Sequence, residues 1–510
     1  MTVLRPAIQE SGAGRSRRAA ARTDFLIALA LAGLVLDVVL AYGLLWPLDH
    51  GRHSGVVAGY QPLATVFGTD DEGLVRFVAV VLAAYLVYAA AVFLARRVAG
   101  RGAFGLVLAG TVVLSVTLLP TNPAGSHDIY HNIADARTFW VHGDNPAATP
   151  PSAHPDDPMY PYVVAWPDTP STYGPVWYVI SGAPLPFAGT GLWANVLGQK
   201  VLTVAFLVAA TALVMLITGR IRPGSAIAAG VLVGWNPLLL FETAGNAHND
   251  IVMVAFALGA FYALVRRWWA LAFPLLALAV AVKYVVILLA PVFLLWMLMR
   301  RDIPFKQVAL SVLLGTLLGA AMAVPFLAGG GFFDTLRGEG SRHLSSTGTF
   351  LTSVFMQQMD MGQGQSVRAM ERTLWAVFIA GYAALLLRTC RDQSYASLAA
   401  TSAWVMALFL VTVKWWFWPW YLAWLVPLAA LTPRRGEALF AVVFSLTSML
   451  LYAAYFWNIY DEWHHQQRLV FATVFAVPLA LASLLVLKRI GARLSASMTA
   501  VRRRAVAAEE

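Results

Sequence analysis

A chain made of one bilayer-length apolar run after another has few folds open to it. Between residues 25 and 487 about fourteen such runs follow each other. Hydrocarbon offers a backbone amide no hydrogen-bond partner, so each run must satisfy its own N–H and C=O groups as a helix. Only 12% of the 510 residues are charged, about half the share of a soluble domain, and 59% are hydrophobic. That balance excludes a string of soluble domains. The expected fold is all-α: a polytopic membrane helix bundle of about 12–14 spans. One transmembrane domain is expected over 24–490, between cytoplasmic tails at 1–23 and 491–510.

The basic residues fix the expected orientation. Arg96, Arg97 and Arg101 follow the second run; Arg220 and Arg222 the fourth; Arg266 and Arg267 the sixth; Arg300 and Arg301 the eighth. Arg388 and Arg391, Arg434 and Arg435, and Lys488 and Arg489 continue the pattern. Clusters on alternate connections mark the inner side, which places both termini inside. The net charge of +10 is therefore a topology signal, not a nucleic-acid footprint. Phe25–Trp46 has no clear small-residue cleavage site and reads as a retained first helix. The single cysteine, Cys390, rules out a disulfide within the chain.

The long outer loops are then 121–175 and 329–368, and the polar chemistry gathers on that side. Ionisable residues at membrane depth are costly and usually functional. The first group is Asp128, His131, Asp135, Arg137, Asp144 and Asn145. Residues 129–142 carry Ile129, Ile133, Ala136 and Phe139 at helical spacing, which predicts an amphipathic helix along the membrane surface. Asp128 would precede its first turn as an N-cap. Tyr160 to Trp177, with Tyr173, would wall a groove. The second group is Glu242, Asn246, His248, Asn249 and Asp250, directly before a run. Lys283 stands alone at an outer turn, where topology needs no positive charge, which suits an anion such as phosphate. Lys414 to Tyr421 holds Trp418 and Trp420 among four tryptophans, denser than an interfacial belt requires. Arg337, Arg342, His343, Asp461, Glu462, His464 and His465 are further candidates for lining an outer cavity.

No GxxxxGK[ST] motif is present, so an ATP-driven pump is not expected. An outer-face transferase lacks nucleotide sugars and needs a lipid-carried donor. Such a reaction asks for a carboxylate as general base and a cation for the departing phosphate. Asp128 and Lys283 fit those two tasks. His248 and Asp250 suit sugar hydroxyls, the acceptor or a metal. Asp128, His131, His248 and Asp250 carry donor types for a divalent cation, without a spacing that demonstrates one, and no other cofactor is expected. The competing class is a transporter or flippase of a lipid-linked saccharide; a scaffold with a decayed site is a third.

The chain resembles the GT-C superfamily of integral-membrane glycosyltransferases, and within it the actinobacterial polyprenyl-phosphomannose-dependent mannosyltransferases. The motifs are His127-Asp-Ile-Tyr130, Gly143-Asp-Asn-Pro146 and Tyr173-Gly-Pro-Val-Trp177. With them stand Gly245-Asn-Ala-His-Asn-Asp250, Lys283 with Pro291, and Trp418-Pro-Trp-Tyr421 with Trp424 and Pro427. The resemblance spans about residues 25–490. It implies a GT-C-like bundle in the plasma membrane with its active site on the extracytoplasmic side. It also implies inverting hexose transfer, mannose favoured, from a polyprenyl-phosphate-sugar donor to a glycan or glycolipid acceptor. Sugar or acceptor contacts are expected from His131, Asp135, Asn145, Tyr173, Trp177, Asn246, His248, Asn249, Asp250, Trp418, Trp420 and Tyr421. Two departures stand out. Ala147 follows Asn-Pro where relatives commonly have an aromatic, and the superfamily's acid often lies in the first outer loop, where Asp49, Asp70 and Asp71 are alternatives to Asp128.

Overall fold

The computed structural model describes residues 12–45, 63–326, 343–359, 361–432, 435–457 and 463–488, with residues 491 and 495. Asp49, Arg337, Arg342, Arg434, Asp461, Glu462 and Arg489 lie outside the described residues, as do 1–11 and most of 491–510. The described chain is helical; its one β-type feature is an isolated bridge between Leu344 and Trp416.

Among the described residues, nine helices are long and apolar enough to cross a membrane. They are Thr23–Leu44, Asp71–Ala95, Arg101–Leu118, Leu192–Ile221, Phe305–Phe326, Gln363–Arg391, Tyr395–Thr412, Gly436–Phe456 and Trp463–Lys488. A bent pair, Ala226–Gly234 and Pro237–Gly245, makes a tenth if it is one span. Four shorter apolar helices, Asp250–Val265, Trp269–Val280, Tyr284–Met299 and Pro419–Ala430, occupy the remaining places where the sequence predicts a span. The expected count is thus met only when short and broken helices are included. Leu86, Phe187, Leu317 and Leu484 project outward with most of their surface uncovered, as lipid contact requires.

The bend of 49° has a local cause. A residue before proline is pushed out of the helical region, and Pro237 has no N–H to continue the ladder. Asn236 sits at ψ 121, and its Oδ1 accepts from Leu238 N and Leu239 N at 3.0 and 3.2 Å, capping the second half. Its amide donates to Tyr88 Oη and Ser445 Oγ, tying three helices together at the break. Beside it, Trp235 is fully buried against Gly110 and donates to Val107 O. The second half ends in a π-turn, Phe241–Gly245, which delivers residues 246–250.

The basic ends gather at one end of the bundle. Arg220, Val265, Arg300 and Tyr395 surround a common recess, and Arg222 donates to Thr432 O. Near the opposite end of helix Leu192–Ile221, Lys200 is fully buried. Its ammonium donates to the carbonyls of Leu119 and Thr121, where the helix Arg101–Leu118 has run out of partners. That lysine anchors the chain just before Asp128, a role the sequence reading did not assign to it although an ionisable residue within an apolar run is itself a signal.

Gly110 separates the packed face of its helix from the lipid face. A Cβ there would meet Trp235 at 2.5 Å, whereas Gly105 has open space. Gly110→Leu should destabilise the bundle by about 1–3 kcal/mol through overpacking, with Gly105→Leu unchanged, read as loss of thermal stability in detergent.

Candidate active site

Four interruptions of helical structure meet in one place: residues 121–127, 241–250, 281–284 and 413–419. A cavity of about 680 Å3 opens there, lined by the first, third and fourth and by residues from 165–173, with the second packed behind it. Asp128 and His131 reach it from the helix Asp128–Trp140, Lys283 and Tyr284 from the third interruption, Lys414, Trp416 and Trp418 from the fourth, and Trp420 and Tyr421 from the helical turn that follows it.

Asp128 opens its helix as the first helical residue, not as its cap. Ser126 Oγ accepts the Asp128 N–H at 3.0 Å, which leaves the carboxylate turned to the cavity. The expected surface helix is in fact covered. Ile129, Tyr130 and all of 132–138 are buried, because the 150–170 segment and the helices Pro175–Ser181 and Leu192–Ile221 pack around it. Arg137 donates to both oxygens of Asp157 there, and His142 meets the same carboxylate at 2.8 Å.

The loop ahead of Asp128 is held from below. Asn246 Oδ1 accepts from Ala124 N and Gly125 N at 3.0 and 2.9 Å. Its amide donates to Glu242, which also accepts from Tyr452 Oη at 2.7 Å. A Cβ at Gly125 would lie 2.8 Å from Asn246 Nδ2, so only glycine allows this approach. His248 lies between two acids, Nδ1 3.8 Å from Asp128 Oδ2 and Nε2 3.4 Å from Glu242 Oε2. It stacks on Trp420 at 4.0 Å, and Trp420 on Trp418 at 5.0 Å. Ala247 adopts φ 55, a left-handed conformation unusual for alanine, which turns the chain between Asn246 and His248.

Lys283 is the second pole. It donates to Asp250 Oδ1 at 2.8 Å, and Trp424 Nε1 donates to the same oxygen. The rings of Tyr173, Tyr421 and Trp424 surround the ammonium at 5.1–5.5 Å. Tyr173 links the poles, with its hydroxyl 3.4 Å from Asp128 Oδ2 and its ring over Lys283. The backbone fixes that link: Gly174 N and Val176 N donate to Val282 O and Ala281 O. A Cβ on Gly174 would sit 2.2 Å from Ala281 O.

Burial raises the Asp128 carboxyl above the ordinary range, against the opposing pull of Ser126, Lys283 and His131. Burial also lowers His248, with Lys283 adding to the effect. Burial opposes charge on His131 too, but Asp135 and Asp128 outweigh it and lift the group to about 9.

Of the residues expected from sequence, Asp128, His131, Tyr173, Lys283, Trp418, Trp420 and Tyr421 line the cavity, while His248 stacks directly behind it. The others take supporting places. Asp135 pairs with His131, Asn145 donates to Phe326 O, Trp177 donates to Asn132, Asn246 holds the loop and Asp250 holds Lys283. Asn249 is buried, and both its side-chain polar atoms lack a hydrogen-bond partner. Asp70 caps the helix Asp71–Ala95 through Gly73 N, and neither it nor Asp71 reaches the cavity. His343, which pairs with Glu371, and His464 and His465 lie off it as well. Among the described residues no three His, Cys, Asp or Glu side chains are placed to hold a metal, so Asp128, His248 and Asp250 do not form a ligand set. Sequence reasoning missed the parts of Ser126, Tyr284 and Tyr455 in the lining, and the structural roles of Glu242 and Tyr452, whereas Lys414 and the Tyr160–Trp177 stretch that holds Trp166 were among its candidates. A tyrosine directly after Lys283 was the available signal.

A protein-family model described as alpha-(1->6)-mannopyranosyltransferase, N-terminal domain, matches residues 30–300, just over half of the chain. That stretch contains Asp128, the 241–250 turn and Lys283. No curated protein matches the chain.

The His131 shift has a sign that can be checked. A folded value of about 9 lies above the free value of about 6.5, so the stabilisation is complete below the lower value and is lost as pH rises through the upper one. His131→Gln should flatten thermal stability against pH across that window, measured by unfolding scans in detergent.

Proposed function

Because the chain belongs to the alpha-(1->6)-mannopyranosyltransferase family, and is thereby a multi-pass membrane mannosyltransferase, we propose that it moves mannose from a polyprenyl-phosphate carrier to a hydroxyl of a glycan acceptor at the outer membrane face. One observation carries this reading: a half-buried carboxylate and an aromatic-caged lysine face one cavity, linked by Tyr173. Asp128 accepts the proton of the acceptor hydroxyl as its oxygen attacks the sugar C1. The bond from C1 to the carrier phosphate oxygen breaks, and the phosphate leaves with a further negative charge. Lys283 stands where that charge develops, already oriented by Asp250 and three rings. Attack opposite the leaving group inverts the anomeric carbon.

A lipid carrier is supported by a second recess of about 350 Å3. Its walls are almost wholly apolar: Phe273, Leu276, Val280, Ile287, Val312 and Phe326 among them. Tyr284 lines both spaces, so a phosphate beside Lys283 would have its hydrocarbon chain running between helices Ala272–Val280 and Phe305–Ala323. The outer-face assignment is supported by the clustering of Arg220, Arg222 and Arg300 at the opposite end of the bundle.

Membranes carrying the protein, supplied with radiolabelled polyprenyl-phosphate-mannose and an oligomannoside, should transfer label. Asp128→Asn should lower turnover by roughly 10²–10⁴. Full activity in that variant removes Asp128 as the base, and movement of the lipid-linked sugar without transfer removes the enzyme. Activity should also fall on the acid side, because Asp128 must be ionised and burial raises its pKa. Lys283→Ala leaves a buried Asp250 charge uncompensated, so its loss of activity is read beside Lys283→Arg. Gly319 lines the apolar recess with its nearest neighbour 3.9 Å from a built Cβ. Gly319→Leu should therefore slow transfer from a long-chain donor more than from a ten-carbon one, in a side-by-side rate assay.

A further inference from the structure

Trp166 has a left-handed backbone, φ 62, a conformation that glycine alone adopts without strain. Its indole is 47% exposed, so burial does not hold it there. Hydrogen bonds do. Thr169 N donates to Trp166 O at 3.0 Å and closes the turn; His131 Nε2 lies 3.2 Å from Thr169 O on the cavity side; Ser152 N donates to Pro167 O at 2.9 Å on the outer side. A strained residue fixed from both sides, with a large ring left open to a cavity, is the pattern of a ligand clamp.

The ring meets Trp416 edge to face, centroids 6.3 Å apart at 75°. Trp416 in turn meets Trp418, the outer member of the stack that ends on His248 beside Asp128. Trp416 is held in register by the Leu344 bridge, through Leu344 N to Trp415 O and Phe417 N to Leu344 O. This row of rings leads from the cavity rim towards the carboxylate. The phosphate-binding lysine and the apolar recess lie instead around Tyr284. Thr169, Thr172 and His131 interleave the rings with polar groups. Flat apolar faces beside hydroxyls suit a pyranose, which has a C–H face and a hydroxyl rim, and do not suit a hydrocarbon chain.

We propose that Trp166 and Trp416 form a saccharide subsite for the acceptor, separate from the donor end of the cavity. The assignment of an acceptor rests on the mannosyl-transfer reading; the sugar-binding surface does not. The full-length protein in nanodiscs, titrated with alpha-(1->6)-linked mannotriose and observed by saturation-transfer NMR, tests both. Wild type should bind, Trp166→Ala should bind roughly tenfold more weakly, and Trp166→Phe should stay within about threefold. Trp166→Gly is decisive, because it relieves the strained φ while removing the ring: thermal stability should hold and mannotriose affinity should fall. In the transfer assay the same variants should raise the KM for mannotriose and leave the KM for the lipid donor unchanged. Unaltered mannotriose binding by Trp166→Gly overturns the subsite, as does a change confined to the donor KM. Mannotriose binding by wild type without transfer would leave the subsite standing and remove the transferase reading.

Discussion

Backbone hydrogen bonding in hydrocarbon is the constraint behind this architecture. A helix can stop inside a bilayer only where protein, rather than lipid, receives its open amides and carbonyls. Here the interruptions satisfy one another. Gly174 and Val176 donate to 281–282, Asn246 receives Ala124 and Gly125, and Leu344 pairs with the chain at 415–417. Lys200 absorbs the last carbonyls before the 121–127 segment. The cavity lies where these breaks meet. Irregular backbone and polar side chains share one location because each needs the same shelter from lipid.

Charge is arranged on the same principle. Buried ions are costly unless paired and hydrogen-bonded. Asp250 has Lys283 and Trp424; Glu242 has Tyr452 and Asn246; Asp135 has His131. Asp128 is held more loosely, with its side chain 29% exposed, Tyr173 at 3.4 Å and His248 at 3.8 Å. A carboxylate with looser partners and an open side towards the cavity suits the role proposed for Asp128. The same contrast separates Asp128 from Asp70, which caps a helix away from the cavity.

Much of this was legible in the sequence, for a physical reason. Span length and positive-charge placement answer to the bilayer, which acts on each segment locally. Every expected run therefore has its counterpart helix, down to the short pair broken at Lys283. Lys283 stood out because a lone ionisable group in an apolar setting is conspicuous, and Asp128 because polar residues crowd together there between apolar runs. The supporting residues were harder. Asp250, Asn246 and Trp177 looked like ligand contacts because polarity beside a span reads the same whether it faces a ligand or holds a neighbour. Trp166 carried no signal beyond its place in the Tyr160–Trp177 stretch, since what sets it apart is a φ angle and an open face.

The sequence by itself determined the class, the succession of helices and the family of motifs. These follow from composition and short-range pattern, which the membrane reads one segment at a time. Tertiary structure alone decided which polar residues face the cavity and which stand behind it. Asp128 and Lys283 are far apart in the chain, and their partnership exists because Gly174 lets the backbone at 173–176 lie against 281–282 and set Tyr173 between them. Contacts of that kind depend on helix packing over long separations, which no local pattern encodes.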